Sequence, residues 1–221
     1  MLNFTVSRVD YFDMGTVIRA ILLLAGGMGM ACASMPANWG GDYAPCDRHE
    51  DLLGREHLNL GVRFSTSNET LAREFRRAME FWAAVLDMEW HVEDSRKCSL
   101  QVVDGVAALF EDCISARSQF PDRAGFEGWI AFNPGVRLTE REMFLVSVHE
   151  IGHLLGLRHN PDGGSVMFFL GLEGDPALDA ADLADLAAGH RLRPGTVANR
   201  QISIASHAGD PESYGATSDK P

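Results

Sequence analysis

Residues 149–159 read HEIGHLLGLRH, and no other stretch restricts the fold of this chain so strongly. A helix through it puts His149 and His153 on one face, because side chains four apart are neighbours there. Two imidazole nitrogens so placed can hold one zinc ion. Glu150 lies beside them and can reach a water on such an ion without taking a ligand position. Gly156 lets the backbone leave the helix through a conformation other residues avoid. The turn brings His159 round as a third ligand. Three neutral imidazoles leave a fourth position open, which distinguishes a catalytic zinc from a closed structural one. At average residue usage three His, one Glu and one Gly at these fixed spacings arise by chance in such a chain with a probability on the order of one in a hundred thousand.

The surroundings of the motif read as alternating strands and helices. Leu58, Leu60, Val62 and Phe64 alternate, a strand signal. Leu71, Phe75, Ala78, Trp82 and Val85 recur at helical spacing, which predicts a helix over 69–86. Met88, Trp90 and Val92 alternate again, and Leu100, Val102 and Val103 make a short apolar strand. Residues 114–120 and 129–132 are two further strand candidates. Thr139-Glu140-Arg141-Glu142 is a capping box for a helix running to about Leu155. Asp179 is expected to cap a last helix that ends at Gly189. Residues 34–56 read as an irregular segment, 57–193 as the catalytic domain and 194–221 as a flexible tail.

Among 221 residues there are 19 basic and 31 acidic side chains, a formal net charge of −12. With 46% hydrophobic and 23% charged residues, usage is ordinary for a globular protein. That excludes a wholly disordered chain, a collagen-like repeat and a polytopic membrane protein. Nucleic acid is excluded as a partner, because no basic cluster is available for phosphates.

Residues 20–30, AILLLAGGMGM, follow Arg19 and precede Ala31-Cys32-Ala33. This is the pattern of a secretory signal peptide over residues 1–33. Met14 opens a conventional basic leader, MGTVIR, and is the expected true start. A transmembrane helix is the poorer reading, since glycines, Pro36 and Asn38 interrupt the second half. Cys32 could carry a lipid, although Gly29 stands where such signals usually have a Leu-like residue; membrane attachment is expected only in that case. The expected location is secreted or cell envelope. Cleavage after Ala33 leaves Cys46, Cys98 and Cys113. Cys98–Cys113 is the favoured disulfide, because both flank one extended segment, and Cys46–Cys98 is its rival.

HEIGHLLGLRH is the metzincin signature, and Met167 in Ser165-Val166-Met167 stands where metzincins carry a methionine turn beneath the zinc. Within that clan the chain resembles the matrixins, their short bacterial relatives in particular. Ala78-Met79-Glu80-Phe81-Trp82 is similar to the end of the family's first helix. Gly128-Trp129-Ile130-Ala131-Phe132-Asn133 is similar to the strand before its active-site helix, and Asp182-Leu183 to its third helix. The resemblance covers about residues 57–190. It implies an α+β fold: a twisted, mostly parallel sheet of about five strands with an antiparallel edge strand, packed on two helices. A small C-terminal subdomain with a third helix completes it. Ala131 stands where animal matrixins have a His for a second zinc, and Asn133 where they have an Asp. No second zinc is expected, and a structural calcium is doubtful. Asn160 stands where matrixins usually have Ser.

The resemblance also implies a reaction: hydrolysis of peptide bonds in a protein or peptide substrate. One zinc on His149, His153 and His159 would activate water, with Glu150 as general base. The substrate would lie extended beside the strand at 116–120, with Ser118 and Gln119 in contact with it. Phe168 and Phe169 either line an apolar pocket for the residue after the cut bond or only fill the lower core. Cys46 offers a latency thiolate, with a plain disulfide the expected alternative. The acidic residues Glu173, Asp175, Asp179, Asp182 and Asp185 read as loop, cap and solvated helix face. A monomer is expected. Two other functions remain open: hydrolysis of cell-wall peptide cross-links, or a non-catalytic binding role on the same scaffold.

Overall fold

The computed structural model describes residues 43, 46, 52, 54–111, 114–118, 128–168, 176–196, 200 and 201. The expected signal segment 1–33, with Cys32, lies outside the described residues, as do Cys113, Gln119 and Phe169.

Alternation of apolar residues builds β1 (Leu58–Ser65), whose Leu58, Leu60 and Val62 are buried. Asn68 then caps α1 (Glu69–Val85): its side chain accepts a hydrogen bond from the Leu71 N–H at 3.0 Å. The apolar stripe read from the sequence faces inward, with Phe75, Ala78, Trp82 and Val85 fully covered. β2 (Met88–Val92) and β3 (Leu100–Asp104) follow, and both pair parallel to β1. β5 (Trp129–Phe132) extends the parallel sheet beside β3. β4 (Ala116–Ser118) runs antiparallel to β5 and closes that edge. The order across the sheet is β2-β1-β3-β5-β4, which is the α+β arrangement the resemblance implies.

α2 (Glu140–Leu154) starts at the capping box, where Thr139 accepts from the Glu142 N–H and Glu142 accepts from the Thr139 N–H. Those bonds hold the Glu142 carboxyl below its usual pKa. α1 and α2 pack on one sheet face around a common core of Phe75, Trp82, Ile130, Leu145, Val148 and Ile151. The Trp82 indole N–H donates to the Val148 carbonyl at 3.1 Å, so α1 is fastened to α2 one residue before its first metal-ligand candidate. On the other face Val103, Trp129 and Ala131 form a smaller apolar cluster with Tyr43 and Phe110.

Beyond the site come β6 (Ala177–Leu178), α3 (Ala180–Gly189) and β7 (Arg200–Gln201). Asp179 caps α3 as expected, in a second capping box with Asp182. Within the stretch read as a tail, Thr196 Oγ1 donates to the Val85 carbonyl and β7 pairs antiparallel with β6.

The disulfide joins Cys46 to Cys98, with Cα atoms 5.2 Å apart, so the expected Cys98–Cys113 pairing is corrected. Topology gives the reason. Cys98 precedes β3, and Ser99 bonds to Gly61 at that end of the sheet. β3 then carries the chain to the opposite end, where the Ser115 carbonyl accepts from the Asn133 N–H. Both bonded cysteines are buried, and Cys46 is therefore no latency thiolate.

Candidate metal centre

The last turns of α2 carry His149, Glu150 and His153. Glycine at 152 lets the helix pass close over the floor of the site: a Cβ there would lie 2.7 Å from Met167 Sδ. At Gly156 the backbone takes a φ of +94°, the left-handed conformation that ends the helix and turns the chain back. Leu157 is buried behind the turn, and His159 comes round to face His149 and His153.

The nitrogens of His149, His153 and His159 all lie within 4.8 Å of one another. Their donor chemistry fits zinc. His149 Nδ1 lies 2.7 Å from the Val166 carbonyl and His153 Nδ1 lies 2.8 Å from the Leu157 carbonyl. A carbonyl only accepts, so these nitrogens carry the protons and Nε2 of each ring presents a lone pair. His153 Nε2 and His159 Nε2 are 3.2 Å apart. Two nitrogens bound to one tetrahedral zinc at ~2.0–2.1 Å are separated by ~3.3 Å. Burial, together with the charge of neighbouring imidazoles, lowers the pKa of both His153 and His159 to about 4. All of this presents neutral rings at neutral pH, the form a metal takes up.

Glu150 is buried, and its Oε2 accepts a 2.6 Å hydrogen bond from Ser118 Oγ on β4. Ser118 was expected to contact substrate; the structure brings it to the glutamate. Met167 is fully buried against Gly152 of the helix. Phe168 is half-buried and bridges to Asn160.

Asn160 and Asp182, to which the sequence assigned no part in the site, fix the ligand loop. Asn160, next to His159, takes the Met167 carbonyl through its backbone N–H at 2.9 Å. Its side-chain amide donates to Asp179 Oδ2 at 2.8 Å and to Asp182 Oδ1 at 2.9 Å. Asp182 Oδ2 accepts from Ser165 Oγ at 2.7 Å, and Ser165 Oγ accepts in turn from the Met167 N–H. Asp182 is 3% exposed. Read from sequence within a group of loop, cap and solvated-face carboxylates, it is a buried cap residue that also joins α3 to Ser165 and Met167. The Asp179–Asp182 capping spacing was the available signal.

The sheet, the paired helices and a three-imidazole centre over a buried methionine define a metzincin catalytic domain. The family model for Peptidase_M10, the matrixins, matches residues 56–183, more than half of the chain. This chain belongs to the matrixin family, whose members are zinc-dependent peptidases. A comparison with curated proteins found no match.

Proposed function

We propose that this chain is an exported zinc endopeptidase that cuts extended peptide or protein substrates. The observation that supports it best is convergence: three imidazoles within 4.8 Å, with Glu150 one residue from the first of them, beside the terminal strand β4. His149, His153 and His159 would hold the zinc. When bound, the ion supplies a Lewis acid that polarises a carbonyl and lowers the pKa of water. Glu150 takes a proton from the attacking water and returns it to the leaving amine. β4 offers its outer edge for main-chain pairing with the substrate, an instance of strand addition. Phe168 contributes apolar surface near Met167 for the residue after the cut bond, a role the sequence also offers to Phe169, which lies outside the described residues. Gln119, next along the chain from Ser118, contributes to the substrate edge. No side-chain nucleophile and no covalent intermediate are required.

Export rests on the leader-like residues 20–33 and on the buried Cys46–Cys98 disulfide, which suits an oxidising compartment. The test is cleavage of a quenched peptide library by the purified chain. Activity should vanish with a chelator, return with zinc and be absent in Glu150→Ala. A zinc-loaded, folded protein that cleaves no peptide overturns the reading.

A further inference from the structure

We infer that Ser118 is a positioning residue for the general base, holding the Glu150 carboxylate through its hydroxyl. The inference rests on the peptidase reading above and assigns Ser118 a role other than substrate contact.

Three observations carry it. First, register fixes where the side chain points. Ser118 lies opposite Ile130 across the β4–β5 pair. Ile130 is fully buried in the core between sheet and helices, so directly paired Ser118 faces the same helical layer. Arg117, one residue earlier, lies on the other face with Ala131, which packs in the small outer cluster. Second, the Ser118 Oγ to Glu150 Oε2 distance is 2.6 Å. That is the length of a charge-assisted O–H···O⁻ bond, stronger than a neutral one. Third, this bond reaches Glu150 from a different element, a strand 32 residues earlier in the chain. Glu150 is buried, yet its side chain has three rotatable bonds.

A general base must sit within hydrogen-bond reach of the proton it takes, and small displacements cost rate steeply. The hydroxyl engages Oε2 and so restrains the whole carboxylate. Its proton is thereby committed to Glu150 and not offered to a substrate carbonyl. The strand that lines the substrate edge thus also sets the rotamer of the base. Strand and base are 32 residues apart in sequence, and only the antiparallel turn of β4 against β5 brings them together.

The test compares the full chain with Ser118→Ala and Ser118→Thr, each loaded with zinc. Thr keeps the hydroxyl and suits a strand. For Ser118→Ala, kcat on a peptide substrate should fall roughly tenfold with KM unchanged, and Ser118→Thr should recover most of the loss. Zinc content and Tm should match in all three proteins. An unchanged kcat in Ser118→Ala overturns the inference, as does a rise in KM alone, which would make Ser118 a substrate contact. A second readout needs no turnover. Acetohydroxamate chelates zinc and hands a proton to a neighbouring carboxylate, and calorimetry should show it bound roughly tenfold more weakly by Ser118→Ala. Equal affinity overturns the inference even if the wild-type chain cuts no peptide, an outcome that would sink only the peptidase reading. Failure of the wild-type chain to bind zinc overturns both.

Discussion

Gly152 and Met167 are packed so closely that a Cβ on residue 152 would lie 2.7 Å from Sδ and 3.2 Å from Cε. Trp82 Cζ2 lies 3.3 Å from the same position. Gly152→Ala therefore sets two effects against each other. Alanine in a helix interior gains about 1 kcal/mol over glycine. Overpacking a filled core costs about 1–3 kcal/mol. Met167 and Trp82 are both fully buried, so the second effect wins. The metal-free variant should be less stable by about 1 kcal/mol in urea unfolding. Stability equal to or above wild type would show that Met167 can move aside.

This contact also shows what sequence can reveal and what it cannot. The three histidines, Glu150 and Gly156 lie within eleven residues, and one helix followed by one turn places them all. Local periodicity suffices for that, and Met167 follows only eight residues after His159. α1 was equally legible, because its stripe from Leu71 to Val85 faces a single core. The Cys46–Cys98 bond was not, since it joins residues 52 apart in sequence that only the tertiary fold brings together. Nor was the burial of Asp182. Its partners Ser165 and Asn160 lie 17 and 22 residues upstream, and Asp185 on the same helix is an exposed carboxylate of the same pattern. Sequence patterning reports period and charge; it does not report which charge is matched by a distant donor.

Asp182 should accordingly be the most sensitive acidic residue outside the metal centre. Its carboxylate accepts from Ser165 Oγ, the Asn160 amide and the Asp179 N–H, the last at 3.1 Å. Asp182→Ala leaves those donors buried without their acceptor and loosens the segment from His159 to Met167. A loss of about 3 kcal/mol or more is expected, because each unmatched buried donor costs ~1–3 kcal/mol. Zinc affinity, measured by competition with a chromophoric chelator, should fall with it. Asp185→Ala, on the same helix but exposed, serves as the control and should change stability by less than about 0.5 kcal/mol. Equal effects of the two substitutions would remove Asp182 from the ligand-supporting network.

The disulfide closes a loop with a sequence separation of 52 residues and ties the segment before β1 to the entry of β3. Loop-closure entropy for such a span predicts a contribution of ~4 kcal/mol, less any residual order in the unfolded chain. The double variant Cys46→Ala/Cys98→Ala should lose about 2–4 kcal/mol, with a clear drop in Tm. Mass mapping of the non-reduced protein should recover a peptide pair containing Cys46 and Cys98. Recovery of Cys98 joined to Cys113 would restore the pairing that sequence proximity favoured.

Acid should destabilise the metal-free protein over a defined window. Burial, with the charge of His149, holds His153 down to about 4 in the folded state. His159 is lowered to about 4 as well, by burial and by the charges of His153 and His149. In the unfolded chain both imidazoles take up protons near ~6.5. Between pH ~6.5 and ~4 the unfolded state therefore binds more protons than the folded one, and stability falls as pH falls. Above ~6.5 both states are neutral and these groups give no slope; below ~4 both are protonated and the slope ends. His153 should carry more of the effect than His159, whose ring is exposed to solvent. Zinc competes with the same protons, so saturating zinc should raise stability most at pH 7.5 and lose its advantage toward pH 5. Urea unfolding at several pH values, with zinc and with a chelator, measures both trends. His153→Gln, which cannot titrate, should flatten the decline in the chelated protein. An unchanged decline in that variant would place the acid sensitivity elsewhere in the fold.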